Sequence, residues 1–361
     1  MHAIHRGAKR RLASIVIALE GDDAETQAEP FPAEGVESLA GLSPDTVRER
    51  LLRSGLWTAL RARPYARVAE PDALPRALFV TAMDTNPLAG DPTVVLAEHT
   101  QAFDHGLTVL SRLATTYVCK SPSLNLAVPA SAEVVVAEFE GPHPAGLPGT
   151  HIQCLAPGRA EPAWYIGYQD VIAIGKLFVT GKLWSERIVA LGGPGMTHPR
   201  LVRTRPGASL DDLVSGGTKT DCRIISGSVL SGRRITPTAA HRGRYHQQVT
   251  VLPEVAADDT RPGLLSLLTN RRNSSRPLDT AVNGWPGGML PVEAFERVWP
   301  LRTPPVPLLR ALLVRDAELA RALGCLDLSE EDLSLCSYVC PAKYDYGSAL
   351  RATLRAIERS N

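Results

Sequence analysis

Cys336 and Cys340 stand four residues apart, with Pro341 directly after the second, which is how the ligand run of a small ferredoxin ends. A cubane cluster needs four thiolates and a structural zinc needs four donors. Cys325 raises the local count to three, while Cys119, Cys154 and Cys222 come far earlier and all nine histidines lie at or before His246. The C-terminal stretch thus offers three thiols and no imidazole. Cys325, Cys336 and Cys340 read as buried, unligated thiols, and no metal is expected.

Nucleotide chemistry is no better supported. "GSVLSGRR" (227–234) has the G-x-x-x-x-G spacing of a phosphate loop, but Arg233 and Arg234 replace the Lys and Ser/Thr that hold phosphate and magnesium. No G-x-G-x-x-G follows a strand, no G-x-S-x-G elbow is present, and "GGPG" (192–195) reads as a turn. Two stretches look more particular than scaffold. "GPHPAGLPGTHIQC" (141–154) sets His143 and His151 in a loop stiffened by prolines, and "WYIGYQDVIAIGKLFVTG" (164–181) places Tyr168, Asp170 and Lys176 around an apolar run. Such residues suit a pocket for a flat, partly polar ligand such as a quinone head, or a partner-docking face. The plainer reading is a rigid loop, then a buried strand and helix with one capping carboxylate.

The elements that would position these residues follow from the patterning. "LSPDTVRERLLRSGLW" opens a helix with Ser43 as N-cap and Pro44 at its first position. An apolar strand in "RALFVTAMDTNPLAGDP", a helix in "HTQAFDHGLTVLSRLA" and a strand in "TTYVCK" imply a right-handed parallel unit, hence an α/β domain over 36–184. From 185 to 235, short strands about a Gly/Pro turn and the helical "SLDDLV" fit a small β-grasp-like module. The remainder, 236–361, reads as the strand "RYHQQVTVLPE", a loop rich in Arg, Asn, Gly and Pro, and helices. At about 100° per residue, Leu308, Leu309, Leu312, Leu313, Leu319 and Leu323 share one arc of ~140°, which predicts a single amphipathic helix. Ser329 then caps a helix that Pro341 ends.

Composition excludes some classes. The 39 basic and 38 acidic residues leave a formal charge of +1, so no broad field draws nucleic acid. Basic residues before the apolar run 12–19 imitate a signal peptide, but acidic residues follow at once and a β-strand is the better reading; the passage to about 35 is a linker. No run reaches the ~18 apolar residues of a membrane span, so a cytoplasmic chain with reduced thiols is expected.

With these strings in view, the sequence resembles the A subunit of the bacterial Na+-translocating NADH:quinone oxidoreductase. The resemblance rests on "VTAMDTNPLAGDP", "GPHPAGLPGTHI", "IGYQDVIAIGKLFVTG", "RIVALGGP", "RIISGSVLSG", "GRYHQQV", "LLRALL" and "ALGCLDLSEEDLSLCSYVCPAKYDYG", in one order along the chain. It implies a multidomain α/β protein with a Rossmann-like α/β domain, a β-grasp (SLBB-like) module and a helical C-terminal domain. The implied role is a peripheral subunit on the cytoplasmic face of the inner membrane, partnered by integral-membrane and flavin-bearing subunits. The complex would oxidise NADH, reduce ubiquinone and export Na+, with NADH, flavins, iron–sulfur centres and ubiquinone handled on other subunits and no cofactor on this chain.

The resemblance makes "CSYVCP" the remnant of a relative's cluster motif. It assigns His143, His151, Tyr168, Asp170 and Lys176 to a quinone-proximal or partner-docking face. Arg261, Arg271, Arg272 and Arg276 would face a partner or the anionic membrane surface. It also implies that most of an N-terminal β-rich domain is lacking, through a misplaced start or a real loss, so that residues 1–35 are a remnant strand and linker; a real loss would leave Ile15, Ile17 and Leu19 without sheet partners. An independent quinone or flavin reductase and an Rnf-type iron–sulfur electron carrier are the alternatives.

Overall fold

The structure, a computed structural model, describes residues 3–6, 12–17, 29–126, 128–129, 133–155, 162–254 and 288–360. β1 (Ala3–Arg6) and β2 (Leu12–Val16) form an antiparallel hairpin with Ile4 opposite Ile15. Ile15 therefore has a partner strand, contrary to expectation, because the chain folds back on itself. The hairpin's apolar side chains are nonetheless exposed, Ile15 by 50% and Ile17 by 66%. Leu19 lies outside the described residues.

α1 (Pro44–Arg53) starts where the sequence places it, with the Ser43 hydroxyl accepting from Thr46 N–H. Six strands then build one sheet: β3 (Arg61–Arg63), β4 (Arg67–Val68), β5 (Ala77–Ala82), β6 (Thr116–Lys120), β7 (Val134–Glu138) and β8 (Ala163–Gly167), in the order β4-β3-β8-β5-β6-β7. β5 pairs in parallel with β6 and β8, and β6 with β7; β3 and β4 add an antiparallel edge. The central strands β5 and β8 are buried along almost their whole length, whereas the edge strand β7 leaves Val135 and Val136 exposed. α2 (Pro92–Leu110) and α4 (Tyr168–Thr180) pack with the main core on one face, whereas Ile152 of α3 (Pro148–Leu155) joins Phe79, Cys119 and Tyr165 on the other. α2 and α4 approach backbone to backbone. A Cβ at Gly175 would lie 1.8 Å from the Ala102 carbonyl and one at Gly106 2.1 Å from the Val171 carbonyl, so each crossing point admits only glycine.

The second sheet combines β9 (Arg187–Gly192), β10 (Arg200–Thr204), β11 (Cys222–Ser226), β12 (Arg233–Arg234) and β13 (Gln248–Pro253), with the short helix α5 (Leu210–Val214) against it. "GGPG" turns β9 into its antiparallel partner β10. The strand order is β10-β9-β13-β11-β12, so β13 is the central strand, parallel to β9 and antiparallel to β11. The sheet thus takes its middle from beyond residue 235, where the composition changes.

The C-terminal region packs α6 (Ala294–Arg297), α7 (Pro305–Val314), α8 (Ala317–Ala322), α9 (Ser334–Val339) and α10 (Tyr346–Ser360) about a core that contains Cys325, Cys336 and Cys340. The single helix expected over 307–324 is two. Arg315 takes a left-handed conformation (φ 60°) and Asp316 caps a new start through Leu319 N–H, which turns Leu319 outward to 45% exposure. Ser329 and Asp332 form a reciprocal capping box at the turn before α9.

Candidate functional site

The three regions meet at a cleft of about 1060 Å³. On the α/β side it opens at the C-terminal ends of β5 and β8, where the strand order reverses and open α/β sheets characteristically place a ligand. Thr81 and Asp84 come from β5 and the loop after it. Tyr165 comes from β8, and Tyr168, Gln169 and Asp170 from the first turn of α4. α4 has Gly167 at its N-cap with no side-chain cap, so its first N–H groups are left for other acceptors.

One joint locks this edge to the second sheet. Gln169 pairs with the main chain of Ile188 at both ends of its amide, Nε2 donating to the carbonyl at 2.8 Å and Oε1 accepting from the N–H at 2.9 Å. The side chain so imitates one rung of a β-ladder. Beside it, Asp170 Oδ1 accepts from Arg187 at 2.8 Å and from Arg244 at 3.1 Å. Arg242, also lining the cleft and only 4% exposed, donates to the His246 carbonyl. Burial together with the positive charges of Arg187 and Arg244 pushes its pKa down to about 10. His246 accepts from or donates to Ser226 Oγ through Nδ1 at 2.8 Å, and burial, with Arg233 and Arg242 nearby, holds its pKa at about 4. The imidazole is neutral at pH 7.

A second joint ties the same α/β domain to the helical region. Arg63 donates from Nη2 to Ser329 Oγ (2.8 Å) and Asp332 Oδ2 (3.1 Å), with side-chain exposures of 3% for Arg63 and 2% for Asp332. Asp332 Oδ2 also accepts from Ser329 N–H at 2.7 Å. Burial alone would lower the Arg63 pKa, but Tyr165, Asp332 and the acidic residues beside it outweigh that and hold it above its ordinary value. Arg351 adds a two-pronged pair with Glu330 (2.5 and 2.7 Å) and a bond to the Tyr65 carbonyl.

The residues singled out in the sequence divide. Tyr168 and Asp170 line the cleft. Gly146, Leu147 and Pro148 of the 141–154 loop also reach it, but the loop's histidines point elsewhere. His143 Nδ1 lies 3.2 Å from Thr85 Oγ1, and His151 Nε2 lies 3.0 Å from the Ala145 carbonyl with its ring 4.4 Å from that of Phe139. Burial holds both at a pKa of about 4. Lys176 sits away from the cleft with Nζ 4.4 Å from the Trp184 ring. Arg261, Arg271, Arg272 and Arg276 lie outside the described residues.

Cys325, Cys336 and Cys340 are buried free thiols; burial pushes Cys325 up to about 11 and Cys336 up to about 12. Among the described residues no group of three or more His, Cys, Asp or Glu side chains is arranged to hold a metal ion. No helix among them is long and apolar enough to cross a membrane. The arginines at 187, 242 and 244 carried no role in the sequence reading. For the last two a signal was present, as two arginines set between two histidines in "HRGRYH" just before a strand.

Known proteins resemble this chain along almost its whole length. Residues 42–183 match the family described as NqrA second alpha/beta domain, and residues 188–236 match NQRA C-terminal domain. The A subunit of the Na(+)-translocating NADH-quinone reductase of Pseudomonas aeruginosa PAO1 is 49% identical over 370 residues, covering 99% of this chain and 82% of that protein. Its namesake from Neisseria gonorrhoeae FA 1090 is 48% identical over 372 residues, with the same coverage. Among solved structures, an NAD+-reducing [NiFe]-hydrogenase in its H2-reduced state aligns with 64% of this chain and 51% of its own at 13% identity and a TM-score of 0.43.

Proposed function

Since the chain belongs to the A-subunit family of the Na+-translocating NADH-quinone reductase, we propose that it serves as a peripheral, cofactor-free subunit of that complex. It docks on the integral-membrane and flavin-bearing subunits at the cytoplasmic face. The complex couples NADH oxidation and ubiquinone reduction to Na+ export, and the electrons pass through the other subunits. The observation that carries this reading is identity of 49% spread over 99% of the chain, which spans all three interlocked regions rather than one transferable domain.

The chain's own contribution is a shaped body. Gln169 and Asp170 fix the second sheet, Arg63 fixes the helical region, and the cleft between them is the place for contact with quinone or with a partner segment. Tyr168 and Asp170 on its wall support the quinone-proximal assignment, with His143 and His151 holding the neighbouring loop rather than facing the ligand. Arg261, Arg271, Arg272 and Arg276 supply positive charge for docking on a partner or on anionic lipid.

Replacing those four arginines with glutamate is expected to reduce co-purification with the membrane subunits and Na+-dependent quinone reduction. NADH oxidation by an artificial acceptor at the flavin subunit should persist. A mutant complex that assembles and reduces quinone like the parent would remove the docking assignment. Visible absorption and metal analysis of the purified chain should show no stoichiometric flavin, iron or zinc.

A further inference from the structure

We propose that His246 binds a carbonyl oxygen of the quinone head through its Nε2–H, with Ser226 fixing the tautomer that carries the proton there. This role rests on the reading that the cleft receives quinone, and it names the atom that makes the contact.

The tautomer follows from a buried hydroxyl. Ser226, on β11, is fully buried, so its hydroxyl proton has no water to go to. Ser226 Oγ already accepts from Gly243 N–H at 3.1 Å, and His246 Nδ1 lies 2.8 Å from the same oxygen. An O–H left unpaired in the interior is costly, and Nδ1 is the acceptor within reach. Burial, with Arg233 and Arg242 nearby, holds the imidazole neutral at pH 7. A neutral ring that accepts at Nδ1 carries its one proton on Nε2.

The ring is also fixed in place, with Nε2 at its free tip. A Cβ at Gly227 would lie 3.0 Å from Cδ2 and 3.1 Å from Cγ, and one at Gly243 would lie 2.5 Å from Nδ1 and 2.8 Å from Cε1. Two glycines thus lie against four of the five ring atoms, and Gly227 holds a left-handed φ of 98° to do so. The Nδ1 edge faces Ser226, which stands behind the cleft wall, while His246 itself lines the cleft. Among the described residues no group bonds Nε2, so the donor is left for a ligand.

The chemistry of the wall selects the ligand class. A neutral N–H recognises a lone pair without demanding a countercharge, which suits each carbonyl of a quinone head. Gln247, next in the chain, adds a second uncharged polar group, and the carboxylates and cationic groups around the cleft nearly balance, so no net charge is asked of the ligand. Val229 and Leu230, in the turn that begins at Gly227, supply apolar surface for a ring.

Titration of the nitrogen-15-labelled full chain with a ubiquinone bearing a single isoprenyl unit tests this. The proton–nitrogen spectrum of the free chain should show His246 protonated at Nε2, and the Nε2 resonance should move on saturation. The infrared stretch of one bound carbonyl should fall, and in His246→Phe that fall should vanish and affinity should drop by about tenfold, equivalent to roughly 1.4 kcal/mol. His246→Gln, whose amide can still donate, should keep affinity within about threefold of the parent, the range expected when a hydrogen bond is replaced rather than lost. Saturable binding by the parent with an unmoved Nε2 resonance, or with the same carbonyl stretch in His246→Phe, would overturn the role of His246 and leave the quinone reading intact. The resonance decides the matter even where His246→Phe fails to fold. No saturable binding by the parent would instead overturn the quinone reading of the cleft, and the role of His246 with it.

Discussion

The two joints of the α/β domain solve the same problem with opposite charge balance. At the helical joint, Arg63 meets Asp332 with Ser329 filling the remaining acceptor geometry, and both charges are almost completely buried. At the sheet joint, one carboxylate serves two arginines with a third nearby, and the fixed register comes from the neutral amide of Gln169. The buried Arg63–Asp332 pair makes a clasp that tolerates neither partner's loss. At the sheet joint the neutral amide of Gln169 holds the register, so the charged groups beside it are not what fixes the two sheets together.

The comparison breaks most visibly at Asp332. Asp332→Ala strands the Arg63 guanidinium in the interior, and a loss of ~3 to 5 kcal/mol is expected in denaturant unfolding. Asp332→Asn, which keeps an acceptor, should recover part of it. At the other joint Gln169→Leu leaves the N–H and carbonyl of Ile188 without their side-chain partners, and ~2 to 4 kcal/mol is expected. If the two variants cost the same and both broaden one common transition, the joints are not separate clasps.

A smaller effect tests the helical side. Cys336→Ala should cost ~1 to 2 kcal/mol by core truncation while leaving quinone reduction by the assembled complex unchanged. Loss of electron transfer at unchanged stability would show that the thiol acts chemically.

Acid distinguishes the joints further. The folded-state pKa of His246, about 4, lies below the ordinary histidine value of 6.5. Between those limits the unfolded chain binds the proton and the folded chain does not, so stability is complete above pH ~6.5 and declines toward pH 4. The slope is up to roughly 1.4 kcal/mol per pH unit for one such histidine, and His143 and His151 act in the same direction. His246→Gln should flatten the curve in this window. An unchanged slope would show that His246 does not contribute. The smallest effect is expected at exposed Arg203, which bridges Glu98 and Glu186; its replacement by alanine should leave the melting temperature within scatter.

Much of the scaffold was legible because it depends on local rules. Ser43 with Pro44 marks a helix start whatever surrounds it, and the apolar run before Asp84 could only be a covered strand. The mixed α/β character was legible too, but the extent of the second sheet was not, since its central strand β13 lies beyond residue 235. The break at Arg315 was not, since leucines on both sides of it keep the helical period and nothing in the pattern marks a left-handed residue. The cleft was half legible. Tyr168 and Asp170 stood out beside an apolar helix, but their partners Arg187 and Arg244 lie 17 and 74 residues away from Asp170, and only the folded chain brings them together. His143 and His151 attracted notice by residue type, and in the fold both stand outside the cleft lining, His143 beside Thr85 Oγ1 and His151 beside the Ala145 carbonyl.

The central place of β13 has a consequence for how the chain is made. While residues up to 236 emerge, β9 can pair only with β10, and β11 only with β12, because no strand yet stands between the two ribbons. Two-stranded ribbons are marginal in water. The second sheet therefore closes in one step when Gln248–Pro253 arrives, well after the α/β domain has every strand it needs. Synthesis itself would set the order of assembly: a finished α/β domain presents Gln169 to Ile188 before the sheet that holds Ile188 exists, and a chain released short of residue 248 carries two unjoined ribbons beside a completed domain.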